Sequence, residues 1–417
     1  MKKLLFFLLP FLVSALFAQQ NKNVLFIGNS YTYYNNMPQM LSQMANSTGD
    51  NINTDSSTPG GYTLNGHTTN AATLQKIQGG GWDFVVLQEQ SQLPSFPIGQ
   101  VQTDCFPYAS QLDSMINAVD SCTETMFYMT WGRKNGDASN CGFWPPVCTY
   151  EGMDDLLRQR YDQMAVDNHG VLSPVGALWR YIRNNDSTIE LYNVDESHPS
   201  LAGSYAAACS FYTTILRKDP TLIADDQGLS AAYAQFIRNA AKAVVFDSLL
   251  TWHVGEYDPV ASFTPFSQIN NLTAQFSNLS TNANSYYWNF GDGSTSTDVN
   301  PSHTYFSVGT FIVQLIAENC GLTDTTYQNV IIALTDLDEN KMLPIEMSPN
   351  PITDILTLQL KNADEIVVYD EAGKTIELII KESEDTYELN FTNQSQGLYF
   401  IKVKKDGKVY SGKVLKE

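Results

Sequence analysis

Positive charge is in short supply: 24 Lys and Arg stand against 44 Asp and Glu, a net charge of −20 and a pI near 4.5. Nucleic acid and anionic membrane surfaces repel such a chain, so neither is an expected partner; neutral or weakly charged ligands are. The six cysteines, Cys105, Cys122, Cys141, Cys148, Cys209 and Cys320, lack the spacings that hold zinc or haem, and no metal or cofactor is expected. Long apolar runs are missing too. Leu4 to Phe17 is shorter than the roughly 20 residues a membrane-spanning helix needs, and no later segment is long enough. With Lys2 and Lys3 before it and the small-residue site "ALFAQQ" behind, that run reads as a secretory signal peptide, residues 1–19, leaving no transmembrane segment in the mature chain.

Secretion permits disulfides, and Cys141 with Cys148 around "GFWPPV" is the most plausible short loop. Cys209, inside the apolar run "YAAACSFY", reads equally well as a buried thiol. The remaining ~400 residues exceed one ordinary core, and two to four domains are expected.

Residues 20–255 alternate short apolar runs with amphipathic stretches, the pattern of an α/β domain with a parallel sheet. "NVLFIG", "WDFVVLQ", "TMFYMTW" and "TIELYNV" read as strands. "MPQMLSQMA", "TDCFPYASQLDSMINAV", "EGMDDLLRQRYDQMAV" and "VGALWRYIRN" carry apolar residues at helical spacing. After Trp252 the composition turns to Ser, Thr, Asn, aromatic and β-branched residues with no convincing helix, which predicts two small all-β sandwich domains, 256–336 and 337–417.

The first β module carries "WNFGDG" and "PSHTYFSVGTFIVQL" and resembles the PKD domain, an immunoglobulin-like fold, from Pro259 to about Leu334. The second, Leu343 to Glu417, opens on "SPNP" and closes on the Lys-rich hairpin "GLYFIKVKKDGKVYSGKVLKE". It resembles the C-terminal sorting domain of the type IX secretion system. That resemblance implies the type IX machinery as a partner and a secreted or cell-surface location in a Gram-negative bacterium.

In the α/β domain the strand "NVLFIG" runs out at Asn29-Ser30. Open α/β sheets gather functional groups at the carboxyl ends of their strands. A serine there is by itself most simply a helix cap or turn residue, so the far end of the domain has to decide. There "YNVDESHPS" sets Asp195 three residues before His198, with Pro199 suited to the first turn of a following helix. A serine hydroxyl needs a neutral imidazole to take its proton, and that imidazole needs a carboxylate to fix its tautomer.

Together "GNSYT" and "DESHPS" resemble the SGNH or GDSL hydrolase superfamily over Asn23 to Tyr212, more closely its variant with "IGNSYT" and "VVLQEQS" blocks. The resemblance implies a flavodoxin-like three-layer parallel sheet, with Ser30 as nucleophile, His198 as general base and acid, and Asp195 orienting the imidazole. Asn29 stands where the superfamily usually has Asp, at a position normally structural.

Acyl transfer also needs donors aimed at the developing oxyanion. The Ser30 amide is one. Gly60 or Gly61 of "TPGGYTL" is a second by the resemblance, or else a simple turn pair. The superfamily's third donor, an Asn side chain after the third strand, is missing from "DFVVLQEQSQLP". Gln88 or Gln90 is the expected substitute, with Gln92 the choice by strict residue count and a polar capping loop the alternative. Glu89 could pair with Asp195 for glycoside cleavage but reads rather as a solvated side chain. Trp131 and Arg133, after "TMFYMT", are candidate substrate contacts or else packing and surface residues, and His67 is a weaker contact candidate. His169 and His303 receive no role.

The sequence thus points to a secreted serine esterase removing an acyl group, acetyl first, from a carbohydrate or glycoconjugate through an acyl-enzyme on Ser30. A lipase-like esterase and an inactive cell-surface binding or adhesion protein are the alternatives, the last favoured by the missing Asn.

Overall fold

The structure, a computed structural model, describes residues 19–267, 272–333 and 342–417. All of the signal-peptide assignment except Gln19, and the boundary drawn at 336/337, fall outside the described residues. Two compact units emerge, one running to Pro259 and taking in Asn319–Leu322, the other made of Val260–Glu318 and Thr323–Glu417.

The first unit is built on five strands, β1 (Asn21–Ile27), β2 (Asn51–Ser57), β3 (Phe84–Leu87), β4 (Glu124–Tyr128) and β5 (Val171–Ser173), in the order β2-β1-β3-β4-β5 with every pair parallel. This is the flavodoxin-like order, with helices on both faces. Register places Ile27 beside Ser57 on one side and Leu87 on the other, so three strands end at one level. Val24 to Ile27 and Phe84 to Leu87 are buried throughout, as strands covered on both faces must be.

The helices are α1 (Ser30–Tyr33), α2 (Met37–Asn46), α3 (Leu64–His67), α4 (Ala71–Gly79), α5 (Ile98–Asp104), α6 (Phe106–Val119), α7 (Tyr150–Asp167), α8 (Val175–Asn185), α9 (Leu201–Leu216) and α10 (Ala231–Val244). Helix α9 packs on β5, α2, α8 and α10, and every residue from Ala202 to Leu216 is buried, which accounts for its near-continuous apolar sequence.

Three of the four expected strands form. The fourth, "TIELYNV", does not: Ile189 and Leu191 are buried in a loop whose partner is the segment at 198–200, while β5 comes from the short "VLS". Strand β2 escaped the pattern because it lies at a sheet edge, pairing only with β1, and so tolerates the polar sequence "NINTDSS". The stretch read as one helix over 103–119 breaks at Cys105 into α5 and α6. Pro199 lies two residues before α9, ahead of its N-cap Ser200, and so falls outside the first turn.

Cys141 pairs with Cys148, and Cys122 pairs with Cys320 in the Asn319–Leu322 turn; Cys105 and Cys209 are buried thiols.

In the second unit, a three-stranded and a four-stranded sheet with antiparallel pairing enclose Phe263, Phe276, Trp288, Phe290, Tyr305, Val313 and Leu315. The terminal module has a five-stranded and a four-stranded sheet around Leu356, Leu389, Phe391, Ile401 and Val403. Its closing hairpin pairs Gly397–Lys405 with Lys408–Lys416. No helix among the described residues is long and apolar enough to cross a membrane.

Candidate active site

The order β2-β1-β3 puts a crevice outside the carboxyl ends of β1 and β3, where a doubly wound sheet receives its ligands. Strand β1 ends at Ile27, and Asn29 caps α1 by accepting the Tyr31 N–H on its Oδ1 at 3.1 Å. Ser30 is therefore the first residue of a helix, and its N–H is among those a helix leaves without an internal partner. The Asn29 side chain also donates to Tyr62 O at 2.9 Å and so ties the Gly60–Gly61 turn to the Ser30 segment. Gly61 has a φ of +69°, the left-handed region this turn requires.

Asp195 and His198 ride on a tight loop. Asn193 N–H donates to His198 O at 2.8 Å and Ser200 N–H to Leu191 O at 2.9 Å, closing residues 191–200 into a narrow excursion, with Glu196 at a φ of +58°. Asp195 Oδ1 accepts the Ser197 and His198 amides at 3.1 and 2.9 Å, and its Oδ2 lies 2.5 Å from His198 Nδ1. His198 Nε2 lies 2.8 Å from Ser30 Oγ. Burial pushes the Asp195 carboxyl up, but the His198 ring and the two amides outweigh it and hold the group below the usual carboxylate range. Asp195 is thus an anion that orders the imidazole with its proton on Nδ1, leaving the Nε2 lone pair toward the serine.

Aromatic residues hold this loop in place. The Tyr34 ring stacks on the His198 ring, centroids 4.4 Å apart. Tyr31 stacks on Trp131 at 4.8 Å, and Trp131 on Trp179 at 3.8 Å. Trp131 Nε1 donates to Ser197 O at 3.0 Å, and the Tyr31 hydroxyl lies 2.6 Å from Ser197 Oγ. Of these supports only Trp131 stands out in the sequence, with packing as one of its two readings; Tyr31 and Tyr34 lie in the "YTYY" that follows Ser30.

The other expected site residues separate into near and buried. Arg133 is partly exposed; its Nη1 donates to Asp137 Oδ1 at 3.1 Å, and the next residue's N–H donates to Glu196 O, so its loop borders the Asp195–His198 loop. Gln90 caps the chain after β3: its Oε1 accepts the Gln92 and Leu93 amides and its Nε2 donates to Gln92 Oε1 at 3.1 Å. Gln92 Nε2 donates to Asp137 Oδ2 at 2.8 Å.

Four expectations need correction. Trp131 is fully buried and presents no face to a substrate. His67 is buried with both ring nitrogens engaged, Nε2 to Gly28 O and Nδ1 to Thr73 Oγ1, each at 2.8 Å. Gln88 is buried, with its Nε2 committed to Glu89 O, so its amide is not free to serve an oxyanion. Glu89 is not solvated: its carboxylate accepts the Leu64 N–H at 3.1 Å and the Gln90 N–H at 2.6 Å, and burial raises its pKa to about 8. Glu89 is fully enclosed with its oxygens engaged by two backbone amides, so it does not face the crevice as the second carboxyl of a glycosidase would have to.

Two family models match the chain after the α/β domain. Residues 258–332 match the family model of the PKD domain, and residues 346–417 match that of the secretion system C-terminal sorting domain. The chain is a type IX secreted or cell-surface protein. Among curated proteins it is 27% identical to the collagenase ColA of Bacillus cereus over 161 residues, 33% of this chain and 17% of that one. It spans under a fifth of the length of the curated relatives it matches. Among solved structures, a candidate SGNH hydrolase from Slackia heliotrinireducens is 27% identical, with 47% of this chain and 99% of that one covered and a TM-score of 0.39. A DUF4886 family protein from Bacteroides uniformis is 17% identical, with 56% and 95% covered and a TM-score of 0.47.

Proposed function

We propose that this protein is a secreted serine hydrolase of the SGNH type that cleaves a carboxylic ester. The observation that carries the reading is the unbroken relay from Ser30 Oγ to His198 Nε2 and from His198 Nδ1 to Asp195 Oδ2. It joins segments 168 residues apart at the rim where the sheet order leaves a crevice.

Ser30 Oγ attacks the ester carbonyl as His198 Nε2 takes its proton, and Asp195 stabilises the imidazolium that results. The negative oxygen of the tetrahedral intermediate meets the Ser30 N–H and an N–H of the Gly60–Gly61 turn. His198 then protonates the departing alcohol. Water, deprotonated by the same imidazole, releases the acid from Ser30. A carbohydrate or glycoconjugate bearing an acetyl ester is the substrate class that fits a secreted acidic protein with a PKD domain, and we assign a polar group of the alcohol to the partly exposed Arg133, whose loop borders the Asp195–His198 loop.

The inward-turned Gln88 amide favours a second reading, an inert binding protein, because it removes a side-chain donor from the expected oxyanion site. Hydrolysis of p-nitrophenyl acetate by the purified protein and by Ser30→Ala separates the two. The esterase reading predicts that Ser30→Ala loses at least about 10³-fold in kcat; equal rates in both proteins refute it.

A further inference from the structure

His67 and Gln88, unsuited to touching substrate, meet at a single peptide group. The Gly28–Asn29 peptide immediately precedes Ser30. Its carbonyl oxygen accepts from His67 Nε2 at 2.8 Å, and its N–H donates to Gln88 Oε1 at 2.9 Å. Both side chains are fully buried, and they arrive from different places: His67 from the end of α3, Gln88 from the end of β3. We propose that His67 and Gln88 form a clamp on the Gly28–Asn29 peptide that fixes the plane of the next one, and with it the aim of the Ser30 N–H and Oγ. They are positioning residues, and the role rests on the esterase reading of the site.

Each end of the clamp is itself held. A carbonyl oxygen only accepts, so His67 must carry its proton on Nε2 and accept on Nδ1 from the Thr73 hydroxyl, which lies 2.8 Å from Ser57 Oγ in turn. Desolvation keeps the His67 ring neutral, as this tautomer demands, against the smaller opposite effect of the Gly28 bond. Gln88 Oε1 also accepts from Thr32 Oγ1 at 2.9 Å, tying the clamp to α1, while its Nε2 is anchored on Glu89 O. The approach is so close that a Cβ on Gly28 would lie 2.6 Å from Gln88 Oε1. A rotation of this peptide would break bonds at both ends and leave buried polar groups unpaired.

A clamp acts on the geometry of the reacting groups, not on substrate affinity, which gives it a kinetic signature. Measured on p-nitrophenyl acetate with wild type and Ser30→Ala alongside, His67→Phe and Gln88→Met are expected to lower kcat by about 10²-fold with KM nearly unchanged. His67→Gln, which can return an N–H donor to Gly28 O, is expected to recover most of that loss. Should either disruptive variant fail to fold, Thr73→Val tests the same device by releasing the His67 tautomer, with a drop in kcat of about tenfold expected. Folded variants with wild-type kcat, or losses confined to KM, overturn the clamp while Ser30→Ala remains inactive. An active Ser30→Ala would instead overturn the esterase reading on which it stands.

Discussion

At the scale of single residues, the site depends on a division of work set by exposure. Asp195 is 43% exposed at its side chain and His198 26%, so both reach the crevice, while Gln88, Glu89, His67 and Trp131 are wholly inside. The carboxylate at 195 matters because it fixes which imidazole nitrogen carries the proton. Asp195→Asn keeps the shape and can keep the contact, but its amide can present an N–H where an acceptor is needed. We expect a loss of about 10³-fold or more in kcat, read from steady-state kinetics, with the melting temperature little changed. That Ser30, His198 and Asp195 meet was legible in the sequence because "GNSYT" at a strand end and the three-residue spacing in "DESHPS" together resemble one superfamily's blocks, which neither does alone. The fates of Gln88 and His67 were not. Whether a polar side chain after a strand points to solvent or inward depends on neighbours from other elements, here the Asn29 amide and the Gly28 carbonyl.

At the scale of elements, one loop and one turn make the site. The alternation in "TIELYNV" suits a strand, but its residues 191–193 face the chain at 198–200 and form the stem of the loop that presents Asp195 and His198. Periodicity reported extended backbone there and could not tell a sheet strand from a loop stem. The turn after β1 shows its constraint only in the structure, where "IGNS" places glycine at a point that the Gln88 and Thr32 side chains crowd. Gly28→Ala would drive a methyl into Gln88 Oε1 and Thr32 Oγ1, 2.6 and 2.7 Å away. The expected cost is about 1–3 kcal/mol of stability, measured by denaturant unfolding, together with reduced activity, because the nucleophile turn has to shift. A substitution at Gly79, whose Cβ position is open, is the control.

At the scale of the whole molecule, the chain joins an α/β domain to a PKD domain and a sorting domain, and the secretory handling follows from the last of these. The fold class and the two β modules were legible because their signals extend over dozens of residues. Strand β5, three residues long, gave too short a signal to read. Global stability carries a trace of the site's interior. Glu89 is held near a pKa of 8 against an ordinary 4.5, mainly by desolvation. Between about pH 4.5 and 8 the unfolded chain releases this proton while the folded chain keeps it, so folding weakens as pH rises through that window and levels off above it. Glu89→Gln, which mimics the protonated acid, is expected to flatten that slope in thermal unfolding measured from pH 5 to 8. It should gain up to a few kcal/mol relative to wild type at the alkaline end, at about 1.4 kcal/mol per pKa unit. A slope unchanged by the substitution would show that Glu89 is ionised in the folded protein.

The central claim is that Ser30 is the nucleophile, and covalent labelling tests it most directly. Treating the secreted protein with a fluorophosphonate and mapping the adduct by peptide mass spectrometry should find one modified residue, Ser30, with labelling abolished in His198→Ala. An adduct on another residue, or labelling of Ser30 at the same rate without His198, would contradict the account.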